Sequence, residues 1–131
     1  MAIRIVKLGT QRAANEGTRI GTVRRPPRGV AKTEFASGNW YDVWYPNLAP
    51  SVETMKLGQT VGTDVQWQAF EKKFRQEMKA PEASRTIEML AALSQHANFS
   101  MGCYCENEQR CHRSILRHLL QDAGASIVPS T

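Results

Sequence analysis

One stretch near the end of the chain, FSMGCYCENEQRCHRSILRHLLQDAG (99–124), restricts the fold more than any other. It reads as a strand, a polar turn and a helix. Phe99, Met101, Cys103 and Cys105 alternate with Ser100, Gly102 and Tyr104, the period of two that a strand imposes on its side chains. Glu106 to Arg110 break the apolar pattern, and Asn107 suits a helix cap. Ile115, Leu116, Leu119, Leu120 and Ala123 then share one helical face, which Gly124 closes. Carrying that face back puts His112 near its centre and Cys111 on its flank, with Arg110, Arg117 and His118 toward solvent. The first helical turn therefore aims His112 at the strand end, where Cys105 is expected.

The earlier segments supply partners for this unit. AIRIVKL (2–8) alternates as a strand ending at Gly9, and the polar segment 10–18 reads as a loop. RIGTVR (19–24) is a second strand, halted by Pro26 and Pro27, which cannot continue a helix or a central strand. The stiff connection RRPPRG gathers Arg24, Arg25 and Arg28 just past a strand. An aromatic run follows, with Trp40, Tyr41, Trp44 and Tyr45 around Asp42, in a short strand or an ordered loop. Such rings are most simply core, with a pocket wall as the other reading. Ser51 and Glu53 fit the start of a short helix at 51–57. Thr63 and Gln66 form a capping box, and Trp67, Phe70, Phe74 and Met78 continue as an amphipathic stripe of core residues. Pro81 ends that helix; the next, from Glu82, buries Ile87, Leu90 and Leu93. A last short strand is expected at 126–128.

Strands at both ends with helices crossing between them give an α/β class: a mainly parallel sheet of four or five strands flanked by helices, in one domain spanning 1–131. Ligands of such sheets bind beyond the carboxyl ends of the strands. The segments RRPPRG and CENEQRCHR both lie just past expected strand ends, so they meet if the two strands run the same way.

Composition sets the wider limits. Three cysteines within nine residues do not form a disulfide framework and point to a reducing cytoplasm. No apolar run reaches the roughly 20 residues of a membrane span, so no membrane partner is expected, and no signal-peptide pattern opens the chain. A net charge of +5 favours anionic partners, and seven of the 17 basic residues precede position 29. Nucleic acid is thus a weakly supported partner, since neither an RNA-recognition aromatic motif nor zinc-finger spacing is present.

Taken together, RIGTVRRPPRG, the tryptophan segment with LAPS (48–51), WQAFEKKFRQEM (67–78) and CYCENEQRCHRSIL resemble the YeaO-like branch of the domain-of-unknown-function 488 family. The resemblance covers nearly the whole chain. It implies a small Rossmann-like α/β domain whose activity is not established. Arg24, Pro27, Arg28 and Gly29 match the first motif, which in some relatives has an aspartate at the place of Val23 and a tryptophan at that of Pro26. Glu106, Cys111, His112 and Arg113 match the second motif and are implied to be site residues of unassigned role.

The residues support an enzyme acting on a small phosphate- or carboxylate-bearing ligand through a cysteine–histidine pair. A thiolate is the reactive form, and a helix N-terminus or a nearby cation favours it. Cys105 is the first candidate nucleophile and Cys111 the second. Glu106 is a candidate acid or base, and Arg24, Arg28, Gly29 and Arg113 are candidates to bind the anion. One alternative is a nucleotide or nucleic-acid binding module without catalysis, using the helix N-terminus and the arginines. Another is structural zinc, for which Cys103, Cys105, Cys111 and His112 are suitable donors. Against zinc, Cys103 and Cys105 on an extended strand would sit about 7 Å apart. The plainest reading of His112 is a helix-start histidine donating to a backbone carbonyl. Substrate, cofactor and oligomeric state are not legible.

Overall fold

The computed structural model describes residues 1–129. Four strands, β1 (Ile3–Lys7), β2 (Thr18–Gly21), β3 (Val43–Trp44) and β4 (Phe99–Cys103), form one sheet in the order β1-β4-β2-β3, with every neighbouring pair parallel. Four helices flank it: α1 (Val52–Gln59), α2 (Asp64–Glu77), α3 (Pro81–Leu93) and α4 (His112–Asp122). The expected α/β fold with a parallel sheet is what forms. The parallel β3-to-β4 connection carries α1, α2 and α3. Among the described residues, no helix is long and apolar enough to cross a membrane.

Local chemistry sets the helix starts. Ser51 caps α1 by accepting from the Thr54 amide. Thr63 and Gln66 form the expected reciprocal box on α2. Pro81 stands in the first turn of α3, where its missing N–H costs nothing, so it opens the third helix as well as ending the second. The apolar faces of α2, α3 and α4 close on one side of the sheet, burying Phe74, Leu90 and Leu120 against Ile3 and Met101.

The other side is covered by loop, and a buried ion pair holds it there. Arg19 on β2 is fully buried, and its Nε and Nη2 donate to the two carboxylate oxygens of Glu16 at 2.7 and 3.0 Å. Its Nη1 donates to the carbonyls of Thr10 and Asn39 at 2.9 and 2.8 Å. Ser100 on β4 donates to Glu16 at 2.6 Å. The loop reading holds up to Gly17, Thr18 already opening β2, but the segment carries a buried acid that its polarity did not suggest.

This second cover explains why β4 is not the half-exposed strand that alternation implies. It lies between β1 and β2, and all five of its residues are buried. The strand also stops at Cys103, two residues early, and β2 stops at Gly21 rather than at residue 24. Asn107 caps only a 3-10 turn over Glu108–Arg110, and α4 begins at His112. Arg117 faces inward rather than toward solvent: it grips both carboxylate oxygens of Glu108 at 2.8 and 3.1 Å and donates to the Val128 carbonyl at 2.8 Å. The segment at 126–128 contributes a single parallel bridge, Ile127 to Ile3.

Candidate functional site

A cleft of about 1030 Å³ opens at the carboxyl ends of β1, β2 and β4, where a parallel sheet exposes its loops. Its floor is the turn after β4. Because β4 ends at Cys103, the backbone folds back through Tyr104 and Cys105 before the 3-10 turn. Cys111 follows in extended conformation and directly precedes α4. The chain reversal brings Cys103 Sγ and Cys111 Sγ to 2.7 Å, both buried, while Cys105 is exposed. The extended-strand geometry that separated the thiols in sequence reasoning is therefore absent.

His112 is buried beneath this cluster. Its Nε2 lies 2.7 Å from the Thr22 carbonyl and its Nδ1 lies 3.7 Å from Cys111 Sγ, while Phe74 meets the ring edge-on. Burial lowers the pKa of His112, outweighing the carbonyl bond and the charge at Cys105. A neutral ring donates through Nε2 to Thr22 and leaves Nδ1 as an acceptor toward the sulfurs. The carbonyl bond expected of a helix-start histidine is present, and the ring's other face borders the cleft.

Arg113 is 4% exposed, and its Nη2 donates to the Cys105 carbonyl at 2.5 Å. Its Nε has no partner, and no carboxylate pairs with it among the described residues. Burial disfavours its charge, yet the surrounding cysteines raise its pKa. The neighbouring Cys103 and Cys111 thiols lower the pKa of Cys105 against burial, with help from the Arg113 charge. Burial pushes Cys103 up. Cys111, despite its bond with Cys103, is raised to about 11 by the neighbouring Cys105 and by burial. One thiol of the three is thus favoured as thiolate, and it is the exposed one.

The rim is cationic. Lys7, Arg24, Arg25, Arg28, Lys56 and Arg110 border the cleft, and no carboxylate residue does among the described residues. Three of these cations are already engaged. Lys7 pairs with Glu106 and Arg110 with Asp64, while Arg24 donates to the Pro50 and Ala49 carbonyls at 3.0 and 3.2 Å. The side chains of Arg25, Arg28 and Lys56 make no hydrogen bond or ion pair among the described residues.

Arg24, Arg28, Cys103, Cys105, Cys111 and His112 therefore share one cleft. Glu106 is exposed and turned to Lys7, and Gly29, at φ +72, is exposed beyond the lining. Arg113 acts from beneath, through the Cys105 carbonyl. Tyr104 and Lys56 are lining residues that escaped the sequence reading of the site, while Trp40 takes the pocket-wall alternative of the aromatic run. Tyr104 was legible only as the strand residue facing away from the cysteines. The early end of β4 turns it into the cleft, where its hydroxyl donates to the Arg25 carbonyl at 2.8 Å.

The sulfurs of Cys103 and Cys111 and a ring nitrogen of His112 all lie within 4.8 Å of one another, a donor set that suits zinc. The buried Arg113 guanidinium competes with a metal ion for the same negative charge.

A family model described as DUF488-N3a, the active DUF488-N3 subclade, matches residues 3–124. Comparison with curated proteins and with solved structures returned no match.

Proposed function

We propose, for a chain that belongs to the DUF488 family, that the cleft is the active site of an enzyme that binds a small anionic ligand and attacks it with the Cys105 thiolate. The observation that carries this reading is the pairing of a buried guanidinium, without a carboxylate partner among the described residues, with three neighbouring thiols. A buried cation requires a countercharge, and the groups beside Arg113 able to supply one are sulfurs. The description of the subclade as active agrees with catalysis.

In this reading the neighbouring Cys103 and Cys111 thiols favour the thiolate form of Cys105. Arg113 supplies the countercharge, and His112 positions the first turn of α4 through Thr22. Arg25 and Arg28 hold the anionic group, and Lys7 and Glu106 close the edge as an ion pair. The Cys105 sulfur forms a bond to an electrophilic atom of the ligand while the leaving group departs with its electron pair. Binding at the carboxyl ends of parallel strands agrees with a Rossmann-like sheet, and three free thiols suit a reducing cytoplasm.

The test is alkylation by iodoacetamide, mapped by mass spectrometry. Cys105 is expected to react below pH 7 and to be protected by phosphate. Reaction no faster than a free thiol, with a pKa of about 8.5, would reduce the cleft to a binding module. The second reading is zinc at Cys103, Cys111 and His112, supported by the convergence of their donor atoms. Stoichiometric zinc in protein purified without chelator would favour it over the thiolate.

A further inference from the structure

We infer that the anionic ligand is a free mononucleotide, its phosphate at the Arg25–Arg28 corner and its base against Trp40 and Tyr104. This rests on the reading of the cleft as an anion site and names the class of ligand. Volume is the first argument. A cleft of about 1030 Å³ far exceeds what inorganic phosphate or a small carboxylate fills, and lies just above the range of about 300–1,000 Å³ usual for small-molecule and cofactor pockets.

The walls are the second argument. Trp40 and Tyr104 line the cleft as an edge-to-face pair, with ring centroids 6.0 Å apart and planes at 71°. Both are half-buried, so each ring is held by the fold yet retains open surface. Two rings set nearly at right angles let a planar heterocycle stack on one and meet the edge of the other. A phosphate or short carboxylate has no use for such a corner.

Adjacency is the third argument. The Tyr104 hydroxyl donates to the Arg25 carbonyl at 2.8 Å, so the aromatic wall and the arginine corner are tied at one point. Pro26 and Pro27 fix the backbone between Arg25 and Arg28, and guanidinium groups match phosphate oxygens in pairs. A base and its 5′-phosphate require this arrangement of a flat apolar wall beside a rigid cationic one.

Charge selects the free nucleotide over a strand. Among the described residues, Arg24, Arg25, Arg28 and Lys56 are the lining cations without a carboxylate partner, and the Arg24 guanidinium is held by two backbone carbonyls, whereas a groove tracking a nucleic-acid backbone makes about 6–10 phosphate contacts. The paired guanidiniums of Arg25 and Arg28 suffice for the dianionic phosphate of one nucleotide.

The test is calorimetric titration of the full chain with AMP, GMP, CMP and UMP, beside inorganic phosphate, adenosine and hexadeoxythymidylate. At least one mononucleotide should bind ten times more tightly than phosphate or adenosine. R28A should reduce it to the level of the nucleoside, and W40F, which keeps an aromatic ring packed at that site, should weaken nucleotide but not phosphate. Phosphate binding as tightly as every nucleotide would overturn the inference while leaving the anion site standing. Tighter, steeply salt-dependent binding of the hexanucleotide would also overturn it, in favour of nucleic acid. No binding of any nucleotide would overturn it too. Alkylation of Cys105 is read separately, so a failure of the thiolate reading is distinguishable from a failure of the ligand class.

Discussion

Arg113 Nη2 donates to the backbone carbonyl of Cys105 at 2.5 Å. The charge that is implied to support the thiolate is therefore fastened to the residue that carries it. Arg113→Met keeps the aliphatic stem and removes the charge. Its expected effect is a rise in the Cys105 pKa, read as slower alkylation below pH 7 by about tenfold for each unit of rise. An unchanged rate would remove Arg113 from the account.

The two arginines of the first motif should behave differently. Arg24 holds the carbonyls of Ala49 and Pro50 at the approach to α1, so Arg24→Ala should cost about 1–3 kcal/mol of stability. Arg28 is exposed and makes no such bond, so Arg28→Ala should leave the unfolding midpoint in urea unchanged. It should nevertheless abolish the rise in melting temperature that phosphate produces in the parent protein. A stability loss from Arg28→Ala equal to that from Arg24→Ala would contradict this division.

Glu16 is the acid on which the covered side of the sheet depends. Burial pushes its pKa up, but bonds from Arg19, Ser100 and the Ala13 amide, with the Arg19 charge, bring it down to about 2. A lowered carboxylate pKa contributes stability that is complete above the ordinary value of 4.5 and is lost as pH falls toward 2. Glu16→Gln leaves Arg19 buried without its countercharge, and should cost about 3–5 kcal/mol at pH 7 in urea denaturation. That difference should shrink below pH 4.5.

The helical half of the fold was legible because its signals are local: the Thr63–Gln66 box, the Trp67–Phe70–Phe74 stripe and Pro81 each act within a turn or two. The Glu16–Arg19–Ser100 network was not, because Ser100 lies 84 positions from Glu16 and nothing in a polar loop announces a buried acid. At the site, the segments that meet were readable from strand ends. The turn after Cys103 was not, since alternation continues through Cys105 in sequence while the backbone has already left the sheet. That single departure moves Tyr104 into the cleft and closes the distance between thiols. It also explains why Arg117 turns inward, since the 3-10 turn presents Glu108 to it.

His112 gives a pH dependence in a separate window. A base whose pKa is lowered by burial binds fewer protons folded than unfolded, so its contribution is complete above 6.5 and is lost as pH falls. A lowered Cys105 pKa acts with the same sign from the thiol range downward, so the comparison is made in Cys105→Ser protein. There the urea midpoint should fall between pH 6.5 and 5.5, with a slope of at most about 1.4 kcal/mol per pH unit. Adding His112→Gln should flatten it. His96 and His118 are exposed, so a slope surviving that change would place the titrating group elsewhere.

The most direct test of the account is the alkylation rate of Cys105 as a function of pH, followed by mass spectrometry in the unmodified sequence. The account predicts a plateau extending well below pH 7, with Cys103 and Cys111 unreactive while the protein is folded. A rate that rises only around the free-thiol pKa of about 8.5, or preferential reaction of Cys111, would contradict it.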